Sequence, residues 1–286
     1  MSIQAEAAGF VKKSRDLIGK VQDKIIRKKK CSSRRKVIIR RSLQPILTLQ
    51  RLFLSCQDVF KGPGTVPSPN DVQKLCHILD QMKPEDVGLS RDLHFFKHNT
   101  VVKGHERVAN STIYQCKNFS LCIFFLPENA IIPLHNHPGM TVFSKLLLGS
   151  MHIKSYDWVG SLRSDDHVSD AKSKRLARLR ANRIFTSPCD TSVLYPASGG
   201  NIHQFTAITP CAVLDVLGPP YSRDDGRDCS YYKDTPYDAT LDVEVKEAKE
   251  DDDCYGPYAW LEEIDMPKDS EMDVVQYLGP QVSVAS

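Results

Sequence analysis

The 286-residue sequence predicts a mainly β protein, an antiparallel sandwich or barrel preceded by helices. Three observations lead there. From about residue 92 to residue 236, short apolar or alternating runs recur between Gly, Pro and Asn turns. Apolar residues at helical spacing dominate the stretch before them. His135-x-His137, ending an apolar run, is answered 66 residues later by His203 at the start of another.

Residues 1–41 hold 14 Lys/Arg against 3 Asp/Glu, or +11, which leaves −8 for the rest of a chain whose total is +3. The densest runs are Arg27-Lys28-Lys29-Lys30, Arg34-Arg35-Lys36 and Arg40-Arg41, with Ile18, Val21 and Ile25 at helical spacing among them. Such clusters read as nuclear import, as nucleic-acid contact or as a solvated tail without an address. This segment is expected to be disordered, and a basic tail on an acidic body suggests two separate tasks.

Residues 42–91 are expected to form a helical region. A first helix is expected over 43–61, with Pro45 in its first turn and Gly62-Pro63-Gly64 as its stop. A second starts at Ser68-Pro69-Asn70-Asp71, capped by Asn70, and ends at Met82-Lys83-Pro84. The pair reads as a lid or brace on the β domain.

Residues 92–236 form that β core. Strands are expected at 112–116, 119–126, 130–135, 140–148, 151–158, 192–196, 203–208 and 211–217. The charged stretch 160–183, with Lys172, Lys174, Arg175, Arg178, Arg180 and Arg183, reads as a surface loop. Residues 237–286 are acidic, notably 247–253, and Tyr255, Tyr258, Trp260 and Leu261 make this tail apolar enough to dock on the body.

No run of about 18 apolar residues exists, so no membrane span is expected. No apolar core follows the N-terminal charges, so a soluble intracellular protein is the default expectation. The nine cysteines are odd in number and contain no C-x-x-C pair, which favours free thiols.

The chemistry lies in the histidines. Two histidines one residue apart face the same side of a strand, because side chains alternate with period two. His203 can close a triangle of imidazoles that holds a transition metal and leaves open positions. The remaining histidines (77, 94, 98, 105, 152 and 167) read as ordinary polar residues.

The two stretches resemble the cupin motifs, G-x5-H-x-H-x3,4-E-x6-G and P-x-G-x2-H-x3-N. Gly149 matches, Pro196, Gly199 and His203 match with slightly stretched spacing, and Asn129, Val142 and Ala207 stand where the motifs have Gly, Glu and Asn. A cupin double-stranded β-helix barrel with N-terminal helices is the fold this implies. Val142 matters most, because it removes the usual carboxylate ligand. Three neutral imidazoles leave Fe²⁺ its full charge and call for an anionic ligand such as a thiolate. Zinc activating a water is the competing chemistry.

Over roughly residues 43–270 the chain resembles the plant cysteine oxidases, relatives of the animal cysteamine dioxygenase. The resemblance rests on PLHNHPGMTVFSKLLLGSMHIKSYDW, YPASGGNIHQF, AVLDVLGPPYS and YAWLEEI. It implies an Fe²⁺ enzyme that uses O₂ to oxidise the N-terminal cysteine of proteins, low-oxygen-response transcription factors, to the sulfinic acid and so marks them for N-degron degradation. It implies His135, His137 and His203 as iron ligands, Asp215 beside the substrate amine, Tyr221 as a substrate-facing phenol and Cys229 as a family cysteine of less certain purpose. A monomer in nucleus and cytoplasm, with no direct nucleic-acid or membrane contact, is expected. Two alternatives stay open: a dioxygenase of small thiols such as cysteine or cysteamine, and a nuclear cupin that binds without catalysis.

Overall fold

A computed structural model describes residues 47–90, 107–160, 174–237 and 257–284, the Asp269 side chain excepted. The basic segment 1–41 and the acidic run 247–253 lie outside the described residues.

Helix α1 spans Thr48–Val59 and α2 spans Pro69–Asp80. Residues 43–46 of the expected first helix lie outside the described residues. Ser68, not Asn70, caps α2: its hydroxyl accepts from the Asp71 N–H, and Pro69 takes the first helical position, where its missing N–H costs nothing.

Among the described residues twelve strands come after the helices, and the chain weaves them into two facing sheets. One has the order β12-β1-β2-β9-β4-β7, formed by Asp273–Val274, Ala109–Gln115, Ser120–Leu126, Cys211–Gly218, Thr141–Leu148 and Ser192–Leu194. The other runs β10-β11-β6-β5-β8-β3, formed by Tyr231–Pro236, Tyr258–Ile264, Arg175–Thr186, Ser150–Trp158, Ile202–Ala207 and Ile131–His135. A bridge from Tyr231 to His135 closes this second sheet on itself. Strands close in sequence are shared between the two sheets through the middle of the chain, which is the double-stranded β-helix of the cupins.

Two of the sequence expectations need correction. Residues 175–183 of the stretch read as a surface loop belong to the 12-residue strand β6, paired with β5 over Ser150–Trp158 and with β11 over 258–261, while residues 161–173 lie outside the described residues. Its basic residues mislead because much of this strand faces water or a cavity rather than the packed core. The aromatic tail does more than dock: β11 is inserted between β10 and β6 as a member of the sheet.

The helices brace the outer face of the first sheet. Leu49, Leu52, Phe53 and Cys56 of α1 and Leu75 and Leu79 of α2 are buried with Ile113, Leu121, Phe143, Leu214 and Val216. Strand β9 is therefore buried along its whole length, helices on one face and barrel interior on the other, and it reads as a nearly unbroken apolar run. Gly218 at its end lies against Phe60, where any Cβ would strike the phenyl ring. Ile132, Leu126, Met151, Phe205 and Val213 fill the barrel interior.

Candidate metal centre

Strand β3 ends on His135, which lies opposite His203 of β8 in the antiparallel register. His137 lies past the strand end, so it does not reach the triangle by strand alternation as expected. Tertiary contacts hold it there instead. The buried Asn201 accepts from the His137 N–H at 3.1 Å, donates back to its carbonyl at 2.9 Å and donates to the Tyr195 carbonyl at 2.7 Å. Asn201 is itself held by Asp157, whose Oδ1 accepts from the Gly200 and Asn201 N–H groups and whose Oδ2 accepts from Arg180 Nε. Gly200 has a positive φ and lies so close to Ser155 of β5 that a side chain would collide there.

The three imidazoles are buried, and one donor atom from each lies within 4.8 Å of the others. The hydrogen bonds decide which nitrogens are free. His135 Nδ1 is 2.7 Å from the Pro133 carbonyl, which can only accept, so its proton is on Nδ1 and Nε2 keeps its lone pair. The Tyr221 hydroxyl donates to the Asn136 carbonyl at 2.7 Å, and its oxygen then accepts from His137 Nδ1 at 2.8 Å. His137 Nε2 is thus also unprotonated, and it faces His203 Nε2 at 3.4 Å. Two ligands about 2.1 Å from a common ion can stand at such a separation.

Burial lowers the basicity of all three rings, driving His137 and His203 well below the usual imidazole value, with the neighbouring imidazoles adding to the effect. The rings are therefore neutral lone-pair donors, which is the form that binds a cation. Among the described residues no carboxylate belongs to the cluster: Val142, at the motif's acidic position, is buried among Met140, Leu194 and Leu217. His203 is backed by Phe205, its ring stacked at 4.5 Å.

Asp215 is buried on β9 between Cys122 of β2 and Ser144 of β4, and its Oδ1 has no hydrogen-bond partner among the described residues. Burial raises its carboxyl to about 7, against a smaller opposing pull from the Ser144 hydroxyl. Tyr221 is held well above the usual phenol value by burial and by the charges of Cys229, Tyr231 and Asp215, so it remains a neutral phenol. The Cys229 thiol is raised by burial, partly offset by hydrogen bonds with Tyr221 and Tyr231. Tyr221 and Cys229 thus lie together on the rim beside His137. His152, in contrast, bonds Asn182 on the outer face of the barrel. The seven described cysteines are all free thiols.

Sequence reasoning missed Asn201, Asp157 and Arg180. Asn201 stands between two matched motif positions, Gly199 and His203, but only the fold shows what its amide touches.

The PCO_ADO family profile matches residues 78–282. The chain belongs to this family. It is 48% identical over 249 residues to plant cysteine oxidase 1 of Arabidopsis thaliana, covering 83% of this chain and 81% of that one. Plant cysteine oxidase 2 of the same plant is 47% identical over 255 residues, covering 88% and 89%. The 2-aminoethanethiol dioxygenase of Homo sapiens is 29% identical over 246 residues, covering 80% and 88%. Among solved structures, an RmlC-like cupin protein from Desulfovibrio desulfuricans matches 43% of this chain and 97% of its own, at 16% identity and a TM-score of 0.25.

Proposed function

We propose that this protein is an iron(II) dioxygenase that oxidises the N-terminal cysteine of proteins to its sulfinic acid. Thiol dioxygenation comes with the family, whose named relatives are cysteine oxidases and 2-aminoethanethiol dioxygenases. The observation that carries the finer reading is the neutral three-imidazole donor set without a carboxylate. His135, His137 and His203 would hold the Fe²⁺, which supplies the site where a thiolate and O₂ meet. A neutral donor set favours an anionic substrate atom, and a thiolate is both anionic and soft.

The reaction RSH + O₂ → RSO₂H balances without a further reductant, because sulfur gives up the four electrons that O₂ needs. The residues around the site handle protons and position. Asp215, with a free Oδ1 and a carboxyl near neutrality, suits proton exchange with the substrate amine. Tyr221, neutral and bonded to His137, keeps that imidazole oriented and its proton on Nδ1. Cys229 lines the same rim. The buried Phe205 ring stacked on His203 gives the site an apolar side that excludes water.

The substrates in this reading are transcription factors of the low-oxygen response, and the sulfinic acid marks them for N-degron degradation, so O₂ sets their lifetime. The protein acts as a monomer in nucleus and cytoplasm without binding nucleic acid or membrane, and the basic clusters of residues 1–41 support nuclear entry. A diffuse distribution of residues 1–41 fused to a fluorescent reporter would remove that address.

Incubating the iron-loaded protein with a Cys-initiated peptide in air and weighing the product tests the activity. A mass gain of two oxygen atoms is expected with iron and not with zinc. Oxidation of 2-aminoethanethiol alone, with the peptide untouched, would overturn the protein-substrate reading.

A further inference from the structure

A cavity of about 320 Å³ opens between the sheets beside His203, with Ser144, Ser155, Arg180 and Arg183 in its wall. Among the described residues no Asp or Glu lines it. Arg180 reaches it through an irregularity of the sheet. Ser155 pairs with Ala181 and Tyr156 with Leu179, so Arg180 is the extra residue of a β-bulge, a device that turns a side chain out of the regular alternation.

Only one edge of the Arg180 guanidinium is used by the described residues. Its Nε donates to Asp157 Oδ2 at 2.6 Å. The Asp157 side chain is 2% exposed and its other oxygen is taken by two main-chain N–H groups, so this pair fixes the base of the guanidinium. The Arg180 side chain is 39% exposed, and its two Nη groups carry N–H donors with no acceptor among the described residues. Arg183, the other cation of the wall, lies over the Phe185 ring at 4.6 Å. The wall next to the metal ligand is thus cationic, rich in donors and held in place by a buried carboxylate.

We propose that Arg180 is a specificity residue that binds the main-chain carbonyl oxygens following the substrate's N-terminal cysteine. The inference rests on the N-terminal cysteine reading. The thiol and the amine are the groups that the imidazole triangle and Asp215 call for. The group that remains on such a substrate is its first peptide carbonyl, a pure acceptor matched to the free Nη donors. A free carboxylate offers the same oxygen chemistry, but the cavity of about 320 Å³ also has Arg183 and Phe185 in its wall, which leaves room for a chain rather than one small acid.

The test compares two substrates in wild type, Arg180→Met and Arg180→Lys, each checked for iron content and thermal unfolding. One substrate is a Cys-initiated peptide. The other is 2-aminoethanethiol, which has the thiol and amine but no carbonyl. Arg180→Met is expected to raise the peptide KM, and the anaerobic peptide Kd by calorimetry, about 10-fold or more, as loss of a charged hydrogen bond implies. The KM ratio of peptide to 2-aminoethanethiol rises by a similar factor. Arg180→Lys, which can still neutralise Asp157 but lacks the fork, is expected to behave like the Met variant, and it keeps the test open if Met prevents folding.

Equal shifts for both substrates, or recovery by Lys, would show that Arg180 acts only through Asp157, and would overturn the proposal. A wild type that oxidises both substrates with an unaltered ratio across the series overturns this inference alone. A wild type that never oxidises the peptide overturns the N-terminal cysteine reading beneath it.

Discussion

Asn201→Ala removes the amide that holds His137 outside its strand. Three hydrogen bonds go with it, at 3.1, 2.9 and 2.7 Å, two to the His137 main chain and one to the Tyr195 carbonyl. At about 1 kcal/mol net for each, the metal-free protein should lose about 3 kcal/mol, with the buried groups left unpartnered pushing the cost upward. Because His137 then loses its anchor, iron affinity should fall about 10- to 100-fold, the usual effect of removing a group that orients a ligand. Denaturant unfolding of the metal-free protein gives the first quantity and chelator competition the second. Asn201→Asp keeps an acceptor for the His137 N–H but sets a carboxylate against two carbonyl oxygens, so it should do no better than Ala. Wild-type iron affinity in Asn201→Ala would refute the view that this contact, rather than strand geometry, places His137.

Other outcomes are expected from the same structure. His203→Ala leaves two imidazoles of the triangle, and metal-dependent thiol oxidation should fall to background while the described core still unfolds cooperatively. Asp215 has a folded pKa near 7 against an ordinary 3.8, so its native state holds a proton that the unfolded chain has lost. Its contribution to stability is therefore present below about pH 4 and lost as pH rises toward 7, a swing of about 4 kcal/mol for a fully buried carboxyl. Metal-free Asp215→Asn should gain about 3 kcal/mol on wild type between about pH 5 and pH 8; a pH-independent difference in urea unfolding would contradict this. Phe53→Ala empties a fully buried site between α1 and the outer sheet face and should cost about 3–5 kcal/mol in thermal or denaturant unfolding, with no selective loss of iron affinity.

Much of the architecture can be read from local pattern. Helices α1 and α2 show their apolar faces because each buries only one side. Strands β2, β4 and β9 show continuous apolar runs because the helices cover one face and the barrel interior the other. Strand β6 was illegible for the opposite reason. Of its twelve residues only Ala177 is fully buried, so no alternation of apolar and polar residues marks it. Strand β11 could be seen as apolar, but not as a sheet member, because no local pattern carries its pairing with β10 and β6.

The site divides in the same way. By itself the sequence determined the donor atoms: two histidines beside one strand end, a third on a later strand and an apolar residue in place of the carboxylate. Donor type, and the chemistry it permits, are properties of the residues. Only the tertiary structure decided which nitrogen of His135 and His137 is free, what holds His137 past the end of β3, and which guanidinium faces the cavity. Those outcomes depend on hydrogen bonds between residues as far apart as Asn201 and His137, 64 positions along the chain, and on a single bulge that turns Arg180. Hydrogen bonds act over about 3 Å, and only folding brings such groups that close.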